Sequence, residues 1–171
     1  MKHDFYARWQ EEQYQNCLKT FQKGTIVSSI DFAENYTFAV QEEVQSLHWD
    51  NRQITILVLI TYRHQHDREE DDPVVFNSNG EPITRFMEAD YHFFISDDNS
   101  HDTLFVQHCL KFHFQWMKEQ GFLVEKHIMW SDGCAAQFKA CRPFSYLAQY
   151  YHNHGTPMMW CFHASGHGKG V

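Results

Sequence analysis

The sequence predicts an α/β domain, with a leading helix followed by elements in the order β-β-β-α-β-α-β. Three observations carry this. Two strand-like runs each close on an aspartate: Thr25-Ile26-Val27-Ser28-Ser29-Ile30 before Asp31, and Lys126-His127-Ile128-Met129-Trp130-Ser131 before Asp132. The apolar, β-branched run Ile54-Thr55-Ile56-Leu57-Val58-Leu59-Ile60 suits a strand buried on both faces. Finally, Phe105, Cys109, Phe112 and Trp116 recur at steps of three and four, the period of an amphipathic helix.

Residues 5–22 mix apolar and charged positions at helical spacing, and Gly24 supplies a stop. Residues 1–24 therefore read as an N-terminal helical extension ahead of a domain spanning 25–171. The first strand covers 25–32, and residues 33–50 show no usable period. The second strand, 53–62, should lie at or near the centre of the sheet. Beyond a polar loop holding Asn77-Ser78-Asn79-Gly80-Glu81-Pro82, residues 90–96 read as a third strand, hairpin-paired with the second. Over 102–120, Val106, Leu110 and Met117 broaden the apolar face. Asp102 favours the positive helix N-terminus, and Gly121 is placed to stop the helix. A fourth strand over 126–132 leads through Gly133 to a second helix from near Pro143 to Gly155. Residues 158–164 make the fifth strand, and Gly166-His167-Gly168-Lys169-Gly170 a glycine-rich exit.

Composition narrows the classes of function. With 171 residues, 43% of them hydrophobic, the chain can bury the core of one domain. Its apolar runs fall short of the roughly 20 residues that cross a bilayer, and Met1-Lys2-His3-Asp4 lacks the apolar segment of a secretion signal. An intracellular protein without membrane association is expected. Five cysteines with no Cys-x-x-Cys pair indicate reduced thiols rather than a disulfide framework or a zinc ribbon. Asn35-Tyr36-Thr37 fits a glycosylation sequon, a short pattern that arises often by chance. The net charge of −8 argues against a self-sufficient nucleic-acid binder but is compatible with a catalytic domain. Much of that charge sits in Asp67-Arg68-Glu69-Glu70-Asp71-Asp72, which reads as a solvated loop.

The two aspartates carry the chemistry. A parallel sheet with their strands side by side brings the carboxylates together, and paired hard oxygen ligands are what Mg²⁺ or Mn²⁺ requires. Taken singly, each is as readily a turn former at a strand end. Glu34, three residues beyond Asp31, is a further metal ligand or a surface carboxylate. Gln137 and Lys139 follow Asp132 closely enough to face the same cleft and hold a phosphate, with solvated loop residues an equal alternative. His163 and His167 stand at the exit of the fifth strand, where a histidine contacts a phosphate, transfers a proton or replaces an acid, or else bonds locally. The glycine run lacks the Walker spacing and the following Ser or Thr, which argues against an ATP site. His152, His154, Cys161 and His163 lack the spacings of a zinc site.

The element order resembles the ribonuclease-H-like fold, a mixed five-stranded sheet whose first and fourth strands are parallel neighbours at its centre. More specific cues lie in Asp31-Phe32-Ala33-Glu34-Asn35-Tyr36, Gln45-Ser46-Leu47-His48-Trp49, Trp130-Ser131-Asp132-Gly133-Cys134-Ala135-Ala136-Gln137-Phe138-Lys139 and His163-Ala164-Ser165-Gly166-His167-Gly168-Lys169-Gly170. From about residue 25 onward these resemble the catalytic cores of eukaryotic DDE/DDD-type transposases and transposon-derived proteins. The resemblance implies a metal-dependent polynucleotidyl transferase or nuclease that cleaves and joins DNA, transposon ends or target, in the nucleus. It implies two Mg²⁺ or Mn²⁺ ions held by Asp31 and Asp132 with Glu34, His167 in the catalytic set, and substrate contacts from Gln137, Lys139, His163 and Lys169. It also implies a homo-oligomer. The family places a third acid downstream of the fifth-strand exit, whereas this sequence stops at Val171. A fragment, an element cut short before the last helix, or another residue completing the site are the readings left open. The alternative function is a transposon-derived domain without catalysis that binds nucleic acid or protein; a third is a simple nuclease without strand transfer.

Overall fold

β1 (Thr25–Phe32) lies antiparallel to β3 (Gln53–His64) on one side and parallel to β5 (Lys126–Ser131) on the other. The computed structural model describes residues 2–33, 35–37, 53–64, 79–80, 87–98, 101–134 and 137–163. β4 (Met87–Ser96) pairs antiparallel with β3, and β6 (Met158–Phe162) parallel with β5. The two-residue β2 (Tyr36–Thr37) also pairs with β3, at Ile54 and Gln53. The Ala33 N–H bonds the Ile56 carbonyl at 2.9 Å, so β1 and β2 follow one another along the same edge of β3. The strand order is therefore β4-β3-β1-β5-β6, with β2 extending the β1 lane. Among the described residues, three helices flank this mixed sheet: α1 (Lys2–Thr20), α2 (Thr103–Glu119) and α3 (Cys141–His154). This is the α/β, ribonuclease-H-like arrangement the sequence predicts, with β2 as an addition.

Strand parity distributes side chains between two cores. Ile26, Ile30, Leu57, Leu59 and Met129 join Val106, Leu110, Phe114 and Phe138 beneath α2 and α3. On the other face Val27 and Trp130 pack with Phe21, Tyr14, Cys17 and Leu18 from α1 and the turn after it. The buried stripe of α2 runs through Val106, Cys109, Leu110, His113, Phe114 and Met117, whereas Phe112 is exposed. The apolar count alone centres that face too far toward Phe112, because a histidine contributes no apolar signal and His113 is buried. Asp102 caps α2 as expected, its carboxylate accepting the Phe105 N–H at 2.9 Å.

Boundaries differ from expectation where pairing or capping decides them. β4 starts at Met87, not at residue 90, because its ladder runs on to His64 of β3. α3 starts at Cys141, which makes Pro143 its third residue, still among the first four positions whose N–H lacks an intrahelical partner. Gly155 ends α3 in the left-handed region at φ 70°. β5 stops at Ser131, and Asp132 lies just outside the ladder.

A polar row crosses the helix-covered core. The Ser28 hydroxyl meets Thr61 Oγ1 and His127 Nε2, each at 3.0 Å. His127 Nδ1 meets the Tyr150 hydroxyl at 3.1 Å, and Thr61 Oγ1 meets His113 Nε2 at 3.2 Å. Burial keeps both imidazoles neutral, lowering His127 to about 3 and holding His113 well below its ordinary range. Among the described residues, no helix is long and apolar enough to cross a membrane.

Candidate functional site

The register between β1 and β5 fixes the relation of the two acids. Val27 pairs with Ile128, Ser29 with Trp130 and Ile30 with Ser131, so Asp31 and Asp132 follow as the next step of both strands. Adjacent strands stand about 4.8 Å apart. Residues paired across strands share a face, and the row Val27, Ser29, Asp31 belongs to the face covered by α1. Both aspartates are half-buried. Asp31 Oδ1 accepts the Phe32 N–H at 2.8 Å, and Asp132 Oδ1 accepts the Cys134 N–H at 2.9 Å. The second bond closes an Asx turn, which is why β5 ends where it does.

Ser131 ties this end of the sheet together. Its hydroxyl donates to the Asp132 carbonyl at 3.0 Å and accepts the Trp160 indole N–H at 3.0 Å. Its carbonyl accepts the His163 N–H at 2.8 Å, carrying the β5–β6 pairing one step past Phe162. The His163 ring packs between Tyr14, at 5.1 Å, and Trp130, at 5.0 Å between centroids. Burial lowers its pKa, while Glu11 and Asp132 act in the opposite sense. A neutral imidazole thus stands beside Asp132 and under α1 at Glu11 and Tyr14. The Tyr14 hydroxyl is raised above its ordinary range, first by burial and then by Tyr62.

The remaining candidate residues divide. Phe138 is fully buried and anchors its loop against Phe32 and Trp160. Gln137 is half-buried, and its carbonyl accepts the Thr103 hydroxyl at 3.2 Å. Lys139 is exposed, with its ammonium 4.7 Å from the centre of the Phe162 ring. Phe162 packs with the core beneath α2 and α3, so Lys139 stands across the sheet from Asp31, Asp132 and His163. Glu34, His167 and Lys169 lie outside the described residues. Among the described residues, no group of three or more His, Cys, Asp or Glu side chains could hold a metal ion. Asp31 and Asp132 are carboxylates, the ligand type Mg²⁺ or Mn²⁺ takes, and two alone do not fill such an ion's coordination sphere.

Sequence reasoning missed Tyr14 and Glu11 as neighbours of His163. The signal was the spacing of Tyr14, Cys17, Leu18 and Phe21, an apolar stripe that seats the helix on the sheet. A shallow cleft lined by Lys23, Arg63, His64, Phe122 and Val124 opens at the opposite end of β1. There Arg63 already pairs with Asp90, at 2.8 Å, and with Glu88, and lies 4.5 Å from the Phe122 ring centre.

A family model described as Domain of unknown function (DUF8701) matches residues 10–82 and 83–171. The chain belongs to this family. Among the described residues the match takes in α1 from Gln10 onward and every strand, so Glu11 and Tyr14, which lie beside His163, fall within it. No curated protein matches the chain, and no solved structure does.

Proposed function

We propose that this DUF8701 protein is a metal-dependent polynucleotidyl transferase or nuclease core of transposase type, acting on DNA at transposon ends or target sites. The observation that carries the reading is the parallel β1–β5 register, in which Ile30 pairs with Ser131 and each strand next supplies an aspartate. The four sequence segments that resemble transposase cores support it. Asp31 and Asp132 are the residues that would hold Mg²⁺ or Mn²⁺. Bound there, such ions supply Lewis acidity to a phosphoryl oxygen, lower the pKa of an attacking water or 3′-hydroxyl, and offset charge on the leaving oxygen. His163, kept neutral by burial, accepts a proton or donates a hydrogen bond beside Asp132. The Tyr14 and Trp130 rings restrict its orientation. Work on chromosomal DNA requires residence in the nucleus.

A second reading, a transposon-derived domain that binds nucleic acid or protein without cleaving it, draws on one observation. Both carboxylates accept a local backbone N–H, as turn-forming aspartates do without any metal. Cleavage of a DNA duplex in Mg²⁺ or Mn²⁺ by the protein and by Asp132→Asn tests the first reading, which expects a loss of at least a hundredfold. Equal activity in the two proteins sinks it. Calorimetric titration with Mn²⁺ separates the readings, since a folded protein that gives no heat at millimolar metal fits only the second.

A further inference from the structure

β4 reverses the usual alternation of an outer strand. Tyr91, Phe93 and Ile95 are 60%, 61% and 66% exposed. The intervening positions turn toward α2: Glu88 and Asp90 meet Arg63, and His92 stacks edge-on against Trp116 and His113. An outer strand facing water on one side carries its polar residues there, and here the apolar ones point out. Their β3 partners extend the patch, since Tyr91 pairs with Ile60, Phe93 with Val58 and Ile95 with Ile56. Val58 in turn pairs with Asp31, so the patch adjoins the acid pair on the same face. The α1 packing reaches Val27, Ile128, Trp130, Cys161 and Tyr62 but none of Tyr91, Phe93 or Ile95.

The size of the patch indicates its occupant. Aromatic side chains present on the order of 150–250 Å² each, so the exposed parts of Tyr91, Phe93 and Ile95, with half-buried Val58 and Ile56, offer roughly 500 Å². Two such faces together bury about 1,000 Å², the threshold for a specific interface and short of the standard 1,600 Å² or so. The patch has no charged residue among its five members and the Tyr91 hydroxyl as its one side-chain polar group, so two copies meet there without burying like charges.

We propose that this face of β3 and β4 is a self-association surface on which a second copy of the chain packs sheet to sheet about a twofold axis. At the area available the dimer is weak and reversible. Each copy carries a net charge of −8, so long-range repulsion opposes association and added salt strengthens it. A cationic partner on the same face would show the opposite dependence. This inference stands independently of any catalytic role for Asp31 and Asp132.

Sedimentation equilibrium across about 1 to 200 μM, a span that covers the weak, micromolar end of interface affinities, is expected to show a monomer–dimer equilibrium that tightens with added NaCl. Tyr91→Lys with Phe93→Lys should weaken dimerisation at least tenfold while the melting temperature stays within a few degrees, both positions being exposed. Ile95→Lys alone should act in the same direction and guards against misfolding of the double variant. A monomer at every concentration, a dimer indifferent to these substitutions, or an association that salt weakens would each overturn the proposal.

Discussion

His127 sits fully buried between Ser28 and Tyr150, and burial, with His154 acting in the same sense, brings its pKa down from 6.5 to about 3. The unfolded chain takes up this proton near pH 6.5, the folded chain only near pH 3. Between those values the unfolded state holds more protons, so the stability contributed by neutral His127 is complete above 6.5 and is lost progressively as the pH falls. At about 1.4 kcal/mol per pH unit, lowering the pH to about 5 removes roughly 2 kcal/mol. Carrying the same slope to pH 3 would remove about 5 kcal/mol, a large share of the 5–15 kcal/mol that holds a typical domain together. His113 adds to the effect, since burial and then the neighbouring His127 and His92 lower it too. Urea melts at pH values from about 7.5 down to 5 read the slope directly. His127→Gln keeps an amide near Ser28 without a titrating ring, so the variant is less stable at neutral pH but loses less on acidification. A wild-type stability that is flat over this range, or an equal slope in the variant, would refute the reasoning.

Two further substitutions probe elements near the acid pair. Phe138→Ala empties a fully buried position between β1 and β6 and should cost about 3–5 kcal/mol; a loss under about 1 kcal/mol by denaturant melt would mean that Phe138 does not anchor the 137–139 turn. Asp102→Ala removes the acceptor for the Phe105 N–H and should cost about 1 kcal/mol, seen as a lower thermal midpoint with unchanged helix content at low temperature.

What was legible in the sequence follows from how local its causes are. β1 over 25–32, the core of β3 and the α2 helix were readable because period and composition are properties of a few adjacent residues. The two-residue β2 was not, since its only reason to be a strand is the edge of β3 at Gln53 and Ile54. The buried row also escaped reading. Nothing in Lys126-His127-Ile128 announces that the imidazole will meet a hydroxyl 99 positions away and a phenol 23 positions away. The leading helix was recognised as a helix, but its role as cover for the acid face depends on Trp130 and His163, which arrive from β5 and the exit of β6.

Parity explains which members of the candidate site came together. Asp31 lies within β1 two residues past Ser29, which pairs with Trp130, so parity carries it onto the α1 face; Asp132, one step beyond the β5 ladder, acts on His163 at that same face. His163 obeys the same rule through Cys161, which packs on that face, and the Tyr14 and Trp130 rings meet it there. Lys139 lies in a turn, where parity has no force. Its side of the sheet is decided by Phe138, whose ring is drawn into the core beneath α2 and α3, and the ammonium comes to rest over Phe162. Proximity in sequence to Asp132 could not reveal this, because seven residues are enough for a loop to cross from one face to the other. Residues on paired strands can therefore be assigned to a common site from register, whereas those in the connecting turn depend on whichever neighbour the core takes in.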